Sequence, residues 1–344
     1  MNSYDIKSLT LSELETEFSN IGFPRYRTKQ VYEWFHKNSV HNYDEMSNLP
    51  QELRAYLDNT YQILGCKIIN KQVSQLDETV KYLFELHDGE TIESVLMKYK
   101  YGYTLCISTQ VGCKAGCTFC ATGASGIIRN LTPSEMLSQI YSAQKDTNIR
   151  ISNVVLMGMG EPLQNYKNVL KFIQLVTDNN GLNISMRNIT LSTCGIVPAI
   201  YMLLEEHLQL TLSISLHAPN NELRTRLMPI NNQYPLEELL KACREYSLKT
   251  SRRISFEYAL FKEINDTEKC AKQLANVLKG IPCHLNLIPA NNVVGSPCKC
   301  SDMAAIKRFK DILEEKQLTV TIRRTLGSDI DASCGQLRRR SLET

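Results

Sequence analysis

Two periodicities divide the chain. Up to about Glu90, apolar residues recur at helical spacing, as in Leu11, Leu14 and Phe18 and again in Val31, Tyr32 and Phe35. A third short helix is expected from Gln51 to Leu57, after the linker Ser47–Pro50. Lys81–Leu86 and Thr91–Met97, either side of a turn at His87–Gly89, read as a β-hairpin. From Tyr103 onward the pattern alternates between short β-branched runs and helical runs. Strands are expected at Thr104–Ser108, Asn153–Met157, Asn188–Thr193, Leu210–Leu216, Ile254–Leu260, His284–Ile288 and Leu318–Ile322. Helices are expected at Thr132–Gln144, Lys167–Asp178, Pro235–Tyr246, Thr267–Lys279 and Met303–Lys316. Thr132-Pro133-Ser134-Glu135 is a helix start, with a capping residue, proline at the first position and Glu three after the cap. Repeated β-α units imply an α/β fold with a parallel sheet and outer helices, and six or so units make an incomplete barrel. The expected division is a helical N-terminal part with its hairpin over 1–90 and a core over 91–344.

Composition narrows the picture. Of 344 residues, 43% are apolar, enough for a sizeable core. No stretch approaches the roughly 18 uninterrupted apolar residues that span a bilayer, and the start lacks a secretory pattern. A cytoplasmic protein without membrane contact is expected. Twelve cysteines in a reducing compartment then point to thiol or metal chemistry and away from a disulfide scaffold. A net charge of +3 is too small to mark a nucleic-acid binder, so any RNA contact is local. Arg25-Tyr26-Arg27-Thr28-Lys29 offers cations around an aromatic, or an ordinary solvated helix start.

The chemistry is concentrated in Cys113-Lys-Ala-Gly-Cys117-Thr-Phe-Cys120. Three thiolates on one short loop can hold three irons of a cubane and leave the fourth open to a small ligand. The alternative is a zinc site completed by a distant residue, although no second knuckle follows at the usual distance. If the fold is a parallel barrel, its chemistry gathers at the C-terminal ends of the strands. The unusual residues fall there. The cysteine loop follows the first strand, Gly158-Met159-Gly160-Glu161-Pro162 the second and Ser192-Thr193-Cys194-Gly195 the third. Ser215-Leu216-His217 follows the fourth and Pro289-Ala290-Asn291 the sixth.

The C-x3-C-x2-C spacing resembles that of the radical S-adenosylmethionine (SAM) enzymes. With Met157–Leu163, Ser215–Asn220 and Asp329–Leu337, the chain resembles the RlmN/Cfr family of RNA methyltransferases over nearly its whole length. That resemblance implies a partial (β/α)6 radical-SAM barrel behind a small N-terminal RNA-contacting domain. It implies a [4Fe–4S] cluster on Cys113, Cys117 and Cys120. SAM would be gripped at its amino group by the loop carrying Gly160 and Glu161. Its ribose, carboxylate and adenine would meet Ser192, the turn Ser215, Leu216 and His217, and Asn291. Cys334 corresponds to the cysteine that is itself methylated, Cys106 to its resolving partner and Glu93 to the proton acceptor. The implied substrates are adenines of 23S rRNA and tRNA, methylated at C2, with flavodoxin or ferredoxin as one-electron donor and a monomeric enzyme. A Cfr-like protein would methylate C8 instead; Gly160–Leu163 and Leu287–Asn291 look more like RlmN. A zinc-stabilised RNA-binding module is the non-enzymatic alternative.

Adenine C2 is an electron-poor carbon bearing hydrogen and does not attack a SAM methyl group, whereas a thiolate does. The resemblance therefore implies two SAM molecules per turnover. One methylates Cys334; the other, reductively cleaved, yields a 5′-deoxyadenosyl radical that removes hydrogen from that methyl. The carbon adds to C2, an electron and the C2 proton leave, and Cys106 releases the product by forming a disulfide with Cys334. Without the resemblance, Cys334 would read as an inert thiol, and the neighbouring Arg323–Arg324 and Arg338–Arg340 as a solvated tail or as cations that lower its pKa. The loop with Cys298 and Cys300 has no assigned role, and Asn292 stands where relatives often have proline.

Overall fold

The computed structural model describes residues 5–290 and 298–330; Asn291 and Cys334 lie outside them. Three helices form first: α1 (Leu11–Asn20), α2 (Arg25–His36) and α3 (Gln51–Thr60). A capping box starts α1, with Thr10 Oγ1 accepting from the Glu13 amide and the Glu13 carboxylate accepting from the Thr10 amide. Leu14, Phe18, Val31, Phe35, Leu53 and Leu57 are buried, and they belong to the same apolar core as the barrel. Polar groups tie this unit down. Lys7 Nζ donates to Ser138 Oγ at 3.3 Å, and His36 Nδ1 lies 2.7 Å from Tyr141 Oη.

The antiparallel part of the sheet follows, as β1 (Cys66–Val73), β2 (Val80–Leu86), β3 (Thr91–Tyr99) and β4 (Gly102–Cys106). The hairpin expected from the turn at His87–Gly89 is β2–β3, paired from Val80 opposite Leu96 to Glu85 opposite Thr91. Strand β1 escaped the sequence reading. It is the edge strand of the sheet and none of its residues is buried; Lys67, Asn70 and Lys71 are exposed and so are Ile69 and Val73, so it lacks a regular apolar–polar alternation. A second short hairpin, β5 (Gln110–Gly112) and β6 (Ile127–Asn130), brackets the cysteine loop.

The chain then alternates: α4 (Pro133–Thr147), β7 (Ile151–Leu156), α5 (Tyr166–Thr177), β8 (Ile189–Thr193), α6 (Val197–Glu205), β9 (Thr211–Ser215), α7 (Asn221–Leu227), α8 (Leu236–Thr250), β10 (Ile254–Leu260), α9 (Glu268–Val277), β11 (Cys283–Pro289), α10 (Met303–Glu315) and β12 (Val320–Ile322). All seven expected barrel strands are present. They pair in parallel in the order β4-β7-β8-β9-β10-β11-β12, and with β1–β3 they make one ten-stranded sheet. The order is linear, with β1 and β12 as its ends, so the barrel is open. Helix α4 starts as expected, with the Thr132–Glu135 capping box and Pro133 at the first position. Helices α6 and α7 were not anticipated. Val197–Glu205 is apolar nearly all round and shows no stripe, and α7 has only seven residues. No described helix is long and apolar enough to cross a membrane.

Candidate active site

The interior of this barrel is polar where a closed barrel would be packed with branched apolar side chains. Glu257 on β10 sits in its middle. It accepts from Ser213 Oγ at 2.9 Å, from Ser255 Oγ at 3.2 Å and from Asn286 Nδ2 at 2.7 Å. Above it, at the C-terminal ends of the strands, is a cavity of about 290 Å³. Cys113, Cys117 and Cys120 line one wall; Gly158, Gly160, Glu161, Ser192, Ser215 and His217 line the others. The structure thus brings together residues that the sequence spreads over more than a hundred positions.

The cysteine loop is held by backbone bonds. The Cys113 amide donates to Gly126 O across the β5–β6 hairpin at 2.7 Å, and the Thr118 amide donates to Leu227 O at the end of α7 at 3.0 Å. Gly112 has φ +78°, and a Cβ there would stand 2.0 Å from Gly126 O, so only glycine permits this bracket. The Ala115 amide points at Cys113 Sγ, 3.5 Å away. Burial pushes the Cys113 thiol up to about 11, and burial with the neighbouring Cys120 and Cys113 thiols pushes Cys117 up further. Thiols so placed ionise when a metal replaces the proton. Among the described residues no three His, Cys, Asp or Glu side chains converge on a single ion. Three thiols along one wall of a shared cavity, with an N–H aimed at sulfur, fit a cubane whose ligands attach at separate corners.

The second strand end is tight. A Cβ on Gly158 would stand 2.6 Å from Ile107 O, and Gly160 combines φ +103° with a would-be Cβ 2.6 Å from Gln110 Cβ. Glu161 is buried. Its amide donates to Gln110 Oε1 at 2.8 Å; its carboxylate accepts from the Leu163 amide at 2.9 Å and the Cys194 amide at 2.7 Å. Burial raises its pKa and the hydrogen bonds from Cys194 pull it back. Glu161 therefore ties the end of β7 to the end of β8. His217 occupies the left-handed region, φ +56°, and its Nδ1 accepts from the Ala259 amide at 2.9 Å. Burial holds its pKa down, at about 3, so it is a neutral ring with its proton on Nε2. Phe119 from the cysteine loop packs edge-on against it, 4.9 Å between centroids. Leu216 differs from its neighbours: its side chain is fully buried in the core, and its amide donates to Glu257 O.

Cys106 and Glu93 share the inner face of β4 and β3. Cys106 pairs with Val95, and Glu93 lies two residues from Val95 on the same face. Cys106 packs with Val95, Met97, Met157 and Leu326, of which Met157 also lines the cavity. Glu93 is buried, with Lys81 Nζ 3.7 Å from Oε1, and its carbonyl accepts from Ser108 Oγ at 2.6 Å. The segment leading toward Cys334 is anchored nearby. Asp329 accepts from Ser74 Oγ at 2.7 Å, and the Gly327 amide donates to Asp77 Oδ2 at 2.8 Å. Glu257 and Gln110 also stand at the site and were not anticipated, since an isolated Glu or Gln in a strand carries no spacing signal. Arg323 lines the cavity; Arg27 stacks over the exposed Tyr26 ring at 4.8 Å on α2.

Comparison with known proteins agrees with this architecture. Residues 107–273 match the radical SAM superfamily model, and residues 4–63 match the ribosomal RNA large subunit methyltransferase N-terminal domain. The chain is 50% identical over 335 residues to a probable dual-specificity RNA methyltransferase RlmN of Lachnoclostridium phytofermentans, covering 97% of this chain and 94% of that protein. It is 52% identical over 340 residues to the corresponding protein of Caldanaerobacter subterraneus, covering 99% of each. A crystal structure of a radical SAM methyltransferase from Sphaerobacter thermophilus superposes with TM-score 0.92 at 41% identity, covering 97% of this chain and 98% of that one. An α/β open barrel, a helical N-terminal unit, a three-cysteine loop and likeness along the whole chain have one explanation: the protein belongs to the RlmN family of radical SAM, dual-specificity RNA methyltransferases.

Proposed function

We propose that the protein methylates C2 of adenine in 23S rRNA and tRNA through a methyl-cysteine on Cys334. The observation that carries this reading is the single cavity in which Cys113, Cys117 and Cys120 face Gly160, Glu161, Ser192, Ser215 and His217. The three thiols would hold a [4Fe–4S] cluster, and the remaining wall, with Asn291, would hold SAM. When bound, these groups supply one-electron reduction and carbon-radical chemistry.

The chain's own residues do the rest. Cys334 Sγ takes a methyl group from SAM, forming an S–C bond as the sulfonium S–C bond breaks and the thiol proton leaves. The carbon it carries gives up one hydrogen atom and becomes bonded to C2; the adduct then loses one electron, which the bound cluster would accept, along with the C2 proton. Glu93 accepts the C2 proton, its buried carboxylate held beside the Lys81 ammonium. Cys106 then attacks Cys334 Sγ; the S–S bond forms, the S–CH2 bond breaks, and the methylene takes up a proton to become methyl. Two electrons pass from the thiols to the product, and external thiols return them. Anchoring of Gly327 and Asp329 beside β1 and β2 supports the pairing. Ile330 is four residues from Cys334, a reach of at most ~14 Å.

The N-terminal helices, residues 1–90 with the hairpin, would present the RNA, with exposed Tyr26 and half-buried Arg27 as a base-and-phosphate contact. Adenine C2 lies inside a stacked helix, so an unpaired or extruded adenine is the substrate form. A flavodoxin- or ferredoxin-type donor, a cytoplasmic setting and a monomer complete the reading. Peptide mass measurement on protein purified anaerobically from cells tests it. The peptide carrying Cys334 gains one carbon, and the gain disappears in Cys113→Ala, Cys117→Ala or Cys120→Ala. Zinc without iron and sulfide, together with no SAM cleavage under strong reductant, would overturn it.

A further inference from the structure

Arg224, one turn before the end of α7, is fully buried. Its guanidinium reaches three loop ends: Nη2 donates to Cys194 O at 2.7 Å and to Ser215 O at 3.4 Å, and Nη1 donates to Asn231 Oδ1 at 3.0 Å. Nε is buried without a hydrogen-bond partner. Gly195 allows this approach, since a Cβ there would stand 3.3 Å from Nη2. Every acceptor named is neutral, and no carboxylate pairs with Arg224 among the described residues. A buried guanidinium without a counter-charge is costly, and unpaired buried charges are rarely retained without a use.

The missing negative charge has an obvious place. Helix α7 abuts the cysteine loop: Leu227 O accepts from both the amide and the hydroxyl of Thr118, which lies between Cys117 and Cys120. Met228, next in the chain, lines the cavity, and its amide donates to Arg224 O. Three thiolates give the loaded site a net negative charge, and one-electron reduction adds another. We propose that Arg224 is the buried counter-charge of the cluster held by Cys113, Cys117 and Cys120, and that it raises the cluster's reduction potential. The proposal rests on the reading of those cysteines as iron ligands. Charge near a cluster is one of the main controls of its potential, and the low dielectric under α7 keeps this charge effective.

The test is a reductive titration of the reconstituted cluster followed by electron paramagnetic resonance. Arg224→Gln removes the charge. Asn231→Asp keeps Arg224 and neutralises it in place. In both, the reduced-to-oxidised ratio at fixed potential falls at least tenfold, a shift of about 59 mV to more negative values for one electron. Arg224→Lys keeps the charge and stays near the wild type. A purely structural clip behaves oppositely, because loosening the loop admits water and favours the more highly charged reduced state. If Arg224→Gln does not hold the cluster, Asn231→Asp decides. Wild-type potentials, or upward shifts, in the charge-removing variants overturn the proposal. A wild-type protein that takes up no iron and sulfide overturns the cluster reading as well.

Discussion

At the scale of single residues, thiols that look alike divide by what surrounds them. Cys106 is buried among Val95, Met97 and Leu326, where alanine fits. If it were only a core thiol, Cys106→Ala would be nearly silent. As the resolving thiol its loss leaves cluster binding and the first attack on RNA intact and then stalls release. Denaturing gels of Cys106→Ala therefore show protein covalently joined to RNA, and adding Cys334→Ala removes that band. Multiple turnovers without the adduct return Cys106 to the core. Residues with a spacing or motif signal, such as Cys113, Cys117, Cys120, Gly160 and Glu161, were legible in the sequence, and the cavity gathers them. Arg224, Gln110 and Glu257 were not. Their partners, among them Cys194, Glu161, Ser213 and Asn286, come from other strands, so their meaning exists only after folding.

At the scale of elements, the strand-end loops do the work and their glycines are steric requirements. Gly160→Ala adds a methyl group 2.6 Å from Gln110 Cβ at φ +103°. The loop must move, the Gln110–Glu161 hydrogen bond opens, and SAM affinity measured by calorimetry drops tenfold or more. The iron content falls less, because beyond Gln110, the first residue of β5, the cysteine loop is held by the Cys113–Gly126 and Thr118–Leu227 backbone bonds. Equal loss of both would mean that the two loops form one unit. The barrel strands were legible because short runs rich in β-branched and apolar residues, such as Ile189–Thr193 and Ile254–Leu260, recur between helical runs. The edge strand β1 was missed for lacking a regular apolar–polar alternation, α6 for lacking an amphipathic stripe and α7 for its length.

At the scale of the whole molecule, the N-terminal helices and the barrel share a core sealed by polar groups. His36 is buried against Tyr141, and burial, with the nearby Lys7 charge, lowers its pKa to about 3. Below its unfolded value of about 6.5 the unfolded chain takes up a proton that the native His36 refuses. Stability from this group is full above that pH and falls as the pH drops toward 3, by up to about 1.4 kcal/mol per unit. Denaturant titrations of His36→Gln between pH 4 and 7 therefore show a shallower decline than wild type, by one proton. An unchanged slope would mean that His36 is protonated in the native state.

The claim on which everything else depends is adenine C2 as the site of methylation. Purified RNA from cells lacking the activity, treated with the reconstituted protein, SAM and a one-electron donor, can be digested to nucleosides and separated. The expected product is 2-methyladenosine, absent when Cys334→Ala replaces the wild type. A product of 8-methyladenosine, or no methylated adenosine from protein that carries iron and sulfide and cleaves SAM, would contradict it.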